Sequence, residues 1–137
     1  MGESKTTGHC YCGGVQFEAI GTPIWVSHCH CESCRRHCAS VMATFVGYSP
    51  EQITFSGILP ANFASEDGVK RSFCGQCGSP ISYESDRWKD QVHLYLGIFD
   101  EPEKIQPEDH VFCEGKIAWL NIDDGLPRHR GYSAESG

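Results

Sequence analysis

The sequence predicts a small all-β domain of short antiparallel sheets with at most one short helix. Apolar residues recur at alternate positions over many short runs, which is typical of half-buried strands. Pro, Gly, Asp and Ser separate these runs. Seven of the nine cysteines fall into three tight clusters at predicted turns, which indicates that bound metal helps to hold a modest core.

Nine runs fit the alternating pattern of strands. They cover residues 15–19, 24–28, 41–46, 53–56, 62–65, 69–73, 81–84, 92–96 and 111–113. Asp67 and Gly68 lie between the fifth and sixth runs and predict a tight hairpin turn, because Gly readily adopts a positive φ. Only Glu32–Cys38 has a helical pattern, over about two turns.

Length and charge narrow the class of protein. A chain of 137 residues fits one domain, and we expect residues 1–7 to be a flexible leader and residues 130–137 a flexible tail. A formal net charge of −7 argues against nucleic-acid binding, which needs clustered Lys and Arg. No apolar run reaches the roughly 18 residues of a membrane span. Nothing in the sequence indicates an oligomeric state.

Two of the cysteine clusters predict one closed zinc site. Cys10 and Cys12 lie in GHCYCGG, and Cys74 and Cys77 lie in SFCGQCGS. Two residues between cysteines let both sulfurs reach one ion, and the flanking glycines let backbone N–H groups point at the sulfurs. A pair of disulfides or of reduced buried thiols is the alternative. Paired, glycine-flanked clusters favour metal, and metal thiolates favour a reducing cytoplasm.

The third cluster predicts an open metal site. Cys29, Cys31 and Cys34 lie in SHCHCESCRR and supply three thiolates from one segment, which leaves a fourth position for chemistry. Cys38 follows Cys34 by four residues on the same helix face. It is either a fourth ligand, which would close the site, or a disulfide partner when metal is absent. The isolated Cys113 is interpreted as a small buried apolar residue.

Histidines flank the open cluster. His28 and His30 should point to the same face of a strand, opposite Cys29. These two and His37 are each a ligand, a proton shuttle or a solvated side chain.

The order and spacing of these clusters resemble the glutathione-dependent formaldehyde-activating enzyme family, which includes centromere-protein-V-like members. The matching segments are GHCYCGGVQFE, HCHCESCRR, FCGQCGSPISYES and HVFCEGKIAWLNIDDGLPRH, within residues 8–129. The resemblance implies a β-tent fold and a structural zinc at the four-cysteine set. It also implies a catalytic zinc at Cys29, Cys31 and Cys34. The sequence departs from the family pattern at Cys38 and Cys113.

The resemblance also implies an activity. The implied activity is that of a carbon–sulfur lyase. Such an enzyme joins a small-molecule thiol, glutathione, to a small carbonyl, formaldehyde, and gives S-hydroxymethylglutathione. Arg35 could meet a glutathione carboxylate through its forked donors, or be a solvated surface residue. The resemblance places His110 and Trp119 near the pocket, whereas physical reasoning places Trp119, Trp25 and Trp88 in the core. The alternative function is a zinc-stabilised binding or interaction module without catalysis.

Overall fold

The computed structural model describes residues 4–132 and confirms the all-β prediction. The strands are β1 Lys5–His9, β2 Val15–Ile20, β3 Trp25–Cys29, β4 Ala43–Tyr48, β5 Ile53–Gly57, β6 Ala61–Glu66, β7 Val69–Phe73, β8 Pro80–Ser85, β9 Val92–Tyr95 and β10 Asp109–Val111. The α-helix found within the described residues, α1, spans Glu32–Cys38 as predicted. Single turns of 3-10 helix cover Pro50–Gln52, Asp86–Trp88, Leu96–Ile98, Pro102–Lys104 and Cys113–Gly115.

The strands form two sheets. One has the order β1-β2-β5, and the other has the order β10-β3-β4-β9-β8-β7-β6. In β2, Val15, Phe17 and Ala19 are buried, which is the alternation that the sequence predicts. They join Val46 and Leu94 of the larger sheet in the main core. A second apolar cluster, around Phe45 and Tyr95, surrounds the three-cysteine segment.

The β6–β7 hairpin confirms the turn predicted at Asp67-Gly68. Glu66 pairs with Val69 across it, and Gly68 has φ +76°, a left-handed conformation that favours glycine. This hairpin forms one edge of the larger sheet and carries β7 past the second apolar cluster.

Three terminal predictions need correction. Residues 5–7, expected in a flexible leader, belong to β1, because backbone pairing with β2 holds a strand whose polar side chains show no alternation. The strand expected at residues 111–113 lies instead at β10, which runs parallel to β3, and Cys113 begins a 3-10 turn. Tyr132, expected in a flexible tail, packs edge-to-face on Phe112 at 4.6 Å between ring centroids. Residues 1–3 and 133–137 lie outside the described residues.

The described residues contain no helix that could span a membrane. Within residues 4–132, α1 and the 3-10 turns are all too short to cross a bilayer.

Candidate metal centres and an adjoining cavity

The four cysteines of the predicted closed site come together. Cys10 and Cys12 follow β1, Cys74 and Cys77 follow β7, and their sulfurs all lie within 4.8 Å of one another. Neighbouring sulfurs are 3.6 Å apart for Cys10 and Cys12, and 3.8 Å apart for Cys12 and Cys74. A tetrahedral zinc ion with bonds of about 2.3 Å would set its sulfurs about 3.8 Å apart. The four-cysteine set can therefore hold a zinc ion.

Backbone donors surround these sulfurs. Val15 N–H donates to Cys10 Sγ at 3.3 Å and Gly14 N–H donates to Cys12 Sγ at 3.4 Å. Gln76 N–H donates to Cys74 Sγ, also at 3.4 Å. A hydrogen bond with the Ser79 hydroxyl lowers the pKa of Cys77 to about 5. These donors stabilise thiolates, which are the form that binds metal.

The three-cysteine segment wraps from a strand end into a helix. Cys29 ends β3, Cys31 is the residue that caps α1, and Cys34 lies in its first turn. Their sulfurs lie within 4.8 Å of one another, and Cys34 N–H donates to Cys31 Sγ at 3.3 Å. Hydrogen bonds from Cys29 and Cys34 lower the pKa of Cys31, whereas hydrogen bonding to Cys31 and Cys34 raises that of Cys29. The cluster thus favours a thiolate at Cys31 and could hold a metal ion.

A buried arginine that the sequence analysis missed faces this cluster. Arg71 of β7 is only 4% exposed, and its Nη1 and Nη2 lie 3.7 and 3.8 Å from Cys34 Sγ. Nη1 also donates to the Tyr95 hydroxyl at 3.2 Å, and the guanidinium lies 4.8 Å from the Tyr83 ring centroid. A fixed positive charge beside the thiolates offsets their negative charge. Alternation along β7 could have revealed it, because Arg71 shares a face with Val69 and Phe73.

We expect Arg71→Met to weaken metal binding at the three-cysteine cluster by about 10- to 100-fold, the usual range for a lost partner of a metal ligand. Arg71→Lys keeps a charge but not the forked contact with Cys34, so its loss should be smaller. Competition with a chromophoric chelator measures both affinities, and circular dichroism checks folding. A wild-type affinity in a folded Arg71→Met protein would contradict this role.

Cys38 does not join the three-cysteine cluster. It is absent from the group of sulfurs that lie together, its thiol contacts the Arg35 carbonyl oxygen at 3.9 Å, and all nine cysteines are free. The geometry therefore does not support the prediction of Cys38 as a fourth ligand or disulfide partner. Its thiol lies against the Arg35 carbonyl oxygen in the last turn of α1, and not against the three sulfurs. Cys113, expected to be buried, is partly exposed in a 3-10 turn.

His28 and His30 do share a face, as predicted. Both rings contact His110 of β10, with centroids 4.7 and 5.0 Å away. His30 Nε2 lies 2.8 Å from His110 Nδ1, and His110 Nε2 lies 2.7 Å from Asp124 Oδ2. Arg128 and then His110 lower the pKa of Asp124 by hydrogen bonding. His28, His110 and Asp124 could hold a cation, but the Arg128 guanidinium already pairs with the Asp124 carboxylate. The hydrogen bond from His110 to Asp124 links β10 to the last described segment.

A cavity of about 510 Å³ opens on the three-cysteine cluster. Cys29, Cys31, Cys34 and Arg71 all line it, and none of the four-cysteine set does. Its walls also carry Glu66, Gln91, His93 and six aromatic side chains. Burial lowers the pKa of His93 to about 4, so its imidazole is neutral near pH 7. The cavity therefore joins a thiol cluster to a largely apolar chamber.

The other predicted site residues lie outside this chamber. Neither Arg35 nor His110 is among the lining residues, and Trp119, expected either in the core or near the pocket, is 73% exposed. Trp25 and Trp88, expected in the core, instead line the cavity. Period-two alternation places a side chain on one side of a sheet but cannot distinguish a filled core from a cavity on that side.

Comparisons with known proteins agree with this architecture. The crystal structure of a Rhodobacter sphaeroides protein matches with a TM-score of 0.58 at 16% identity, over 89% of this chain and 98% of that one, and shows the fold alone. An uncharacterized lyase of Schizosaccharomyces pombe is 26% identical over 109 residues, which are 80% of this chain and 79% of the relative. The model of one family, described as glutathione-dependent formaldehyde-activating enzyme, matches residues 5–115. That match covers most of the sequence, which confirms the resemblance noted from the cysteine segments, and the chain belongs to the glutathione-dependent formaldehyde-activating enzyme family.

Proposed function

We propose that this chain is a zinc-dependent carbon–sulfur lyase that makes and cleaves the adduct of a thiol and a small carbonyl. Glutathione and formaldehyde, giving S-hydroxymethylglutathione, are the pair that the family name suggests. The relative from Schizosaccharomyces pombe is also named a lyase. One observation carries the proposal: the cluster of three cysteines, and not the cluster of four, lines the cavity.

The donor sets support different roles for two zinc ions. Cys10, Cys12, Cys74 and Cys77 supply four sulfurs, the number that completes a tetrahedron and is typical of a structural site. Cys29, Cys31 and Cys34 supply three sulfurs, as in catalytic sites that keep one position for substrate. When bound there, zinc supplies Lewis acidity and a fixed point for the reacting sulfur or oxygen.

The reaction is an addition without net oxidation. The thiol sulfur forms a bond to the carbonyl carbon, the electron pair of the C=O π bond moves to oxygen, and the thiol proton ends on that oxygen. Cleavage reverses each transfer. In this proposal, Arg71, which contacts Cys34, offsets the negative charge of the three-cysteine cluster, and the cavity walls hold the two reactants together and limit water. Arg35, which follows Cys34 on α1, remains our proposed partner for a glutathione carboxylate.

A reducing compartment suits this chemistry. All nine cysteines are free, and both clusters need thiolates. We therefore propose a cytoplasmic location, where thiols stay reduced.

Exchange spectroscopy by NMR tests the activity at equilibrium, which is necessary because the uncatalysed addition is rapid. Zinc-loaded protein should speed exchange between formaldehyde, glutathione and S-hydroxymethylglutathione in proportion to protein concentration. S-methylglutathione cannot form the adduct and should suppress the added rate by competing for the site. An exchange rate equal to that in buffer would reject this lyase and leave a zinc-stabilised binding module.

A further inference from the structure

Six aromatic side chains, here called the aromatic wall, line the cavity together with the cysteines. They come from β3, β4, β8, a 3-10 turn and the segments after β10, and are Trp25, Phe45, Tyr83, Trp88, Phe112 and Tyr132. Several rings support one another: Tyr132 lies edge-to-face on Phe112 at 4.6 Å and on Trp88 at 5.5 Å. Trp25 lies edge-to-face on His93 at 4.5 Å and donates its indole N–H to Gln91 at 3.0 Å. The rings are thus held in place before a ligand arrives.

The size of the cavity exceeds what formaldehyde needs. Its volume is about 510 Å³. A cavity of about 150 Å³ suffices to bind benzene in another protein. The chamber therefore has space for a thiol near the cysteines and for a six-membered ring against the aromatic wall.

The charges of the lining residues favour an apolar occupant. Among the described residues that line the cavity, Arg71 is the one Lys or Arg, and its guanidinium already contacts Cys34 and Tyr95. Glu66 is an exposed acidic residue. His93 shares a hydrogen bond with Gln91 at 2.8 Å. The Arg87 guanidinium lies over the Tyr132 ring, 4.0 Å from its centroid. The other ring faces and edges of the wall offer packing surface for a flat apolar group.

We propose, building on the proposed lyase function, that the carbonyl substrate is an aromatic aldehyde whose ring packs among Trp25, Trp88 and Tyr132. Its carbonyl carbon lies toward Cys29, Cys31 and Cys34 and receives the thiol sulfur. The C=O π pair moves to oxygen, the thiol proton follows, and no oxidant or reductant is consumed. Formaldehyde is then a small substrate that leaves the aromatic wall unused.

The test compares two aldehydes with glutathione and zinc-loaded protein. The aromatic probe is 4-(trifluoromethyl)benzaldehyde, followed by fluorine exchange NMR, and the aliphatic probe is acetaldehyde, followed by proton exchange NMR. Each enzymatic rate is divided by its own rate in buffer. We expect the aromatic aldehyde to show at least tenfold greater enhancement. Trp88→Ala should lower this aromatic-to-aliphatic ratio at least tenfold, while Trp119→Ala, an exposed residue outside the cavity, should keep it.

A binding measurement separates substrate preference from catalysis. The unreactive 4-(trifluoromethyl)benzyl alcohol should broaden its fluorine signal with wild type and Trp119→Ala, and much less with Trp88→Ala. Accelerated acetaldehyde exchange without aromatic preference, and without alcohol binding, would overturn this inference and leave the lyase proposal intact. Alcohol binding without acceleration for either aldehyde or for formaldehyde would overturn both. Zinc content and circular dichroism confirm that each variant is folded.

Discussion

Cys74→Ser is expected to leave the chain largely unfolded. Cys74 is fully buried, and its sulfur lies 3.8 Å from that of Cys12. The same sulfur accepts hydrogen bonds from the backbone N–H groups of Gln76 and Cys77, both at 3.4 Å. Through these sulfurs a metal ion would join the turn after β1 to the turn after β7. Structural zinc contributes about 10–16 kcal/mol in small zinc domains, whereas a typical domain is stable by only about 5–15 kcal/mol. Losing one of four ligands removes most of that stabilisation.

Thermal unfolding by circular dichroism and zinc quantification measure this effect together. Cys113→Ser is the matched control, since Cys113 is partly exposed and belongs to neither cluster. We expect the control to keep the wild-type zinc content and melting temperature within a few degrees. A soluble Cys74→Ser protein with unchanged melting temperature and zinc content would show that the four-cysteine set does not stabilise the fold.

Local sequence rules predicted the parts of the fold that depend on spacing. The Cys10-x-Cys12 and Cys74-x-x-Cys77 segments meet, as the spacing of zinc ligands predicted. The glycine at position 68 correctly predicted the hairpin, and the pattern of Glu32–Cys38 correctly predicted the helix. The hairpin and the helix are encoded within a few residues of chain. The meeting of the two cysteine pairs, with Cys12 and Cys74 lying 62 residues apart, was predicted from the chemistry of zinc ligands instead.

Features that depend on distant partners were missed. β1 carries polar side chains and is held by pairing with β2, and β10 pairs parallel to β3 from about eighty residues away. The sequence analysis did not single out Arg71: alternation along β7 could have placed it on the buried face, but its contact with Cys34 depends on the folded sheet. In the same way, Cys38 packs against the second apolar cluster with its thiol on the Arg35 carbonyl, outside the group of sulfurs of Cys29, Cys31 and Cys34. Spacing of i, i+4 allows a contact but does not direct both side chains to one point.

Cys31→Ala is expected to abolish activity and the second metal site while the fold survives. Cys31 Sγ is one of only three sulfurs in its cluster, and its thiolate is the one that the neighbouring thiols stabilise. Two remaining sulfurs make a poor zinc site, so zinc should fall from two ions per chain to one. The variant also loses the contact from Cys34 N–H to Cys31 Sγ at the start of α1, which should cost about 1 kcal/mol. That cost is small beside the four-cysteine site, which the change does not touch.

Cys38→Ala, on the same helix, is the matched control for this experiment. Its thiol lies outside the cluster, so it should keep two zinc ions and the exchange rate of the wild type. Zinc per chain and exchange between formaldehyde, glutathione and S-hydroxymethylglutathione are measured for all three proteins. Cys31→Ala should give the exchange rate of buffer alone. If it held one zinc ion and still exchanged like the wild type, the three-cysteine cluster would have no part in catalysis; if Cys38→Ala lost the second ion, Cys38 would be a ligand after all.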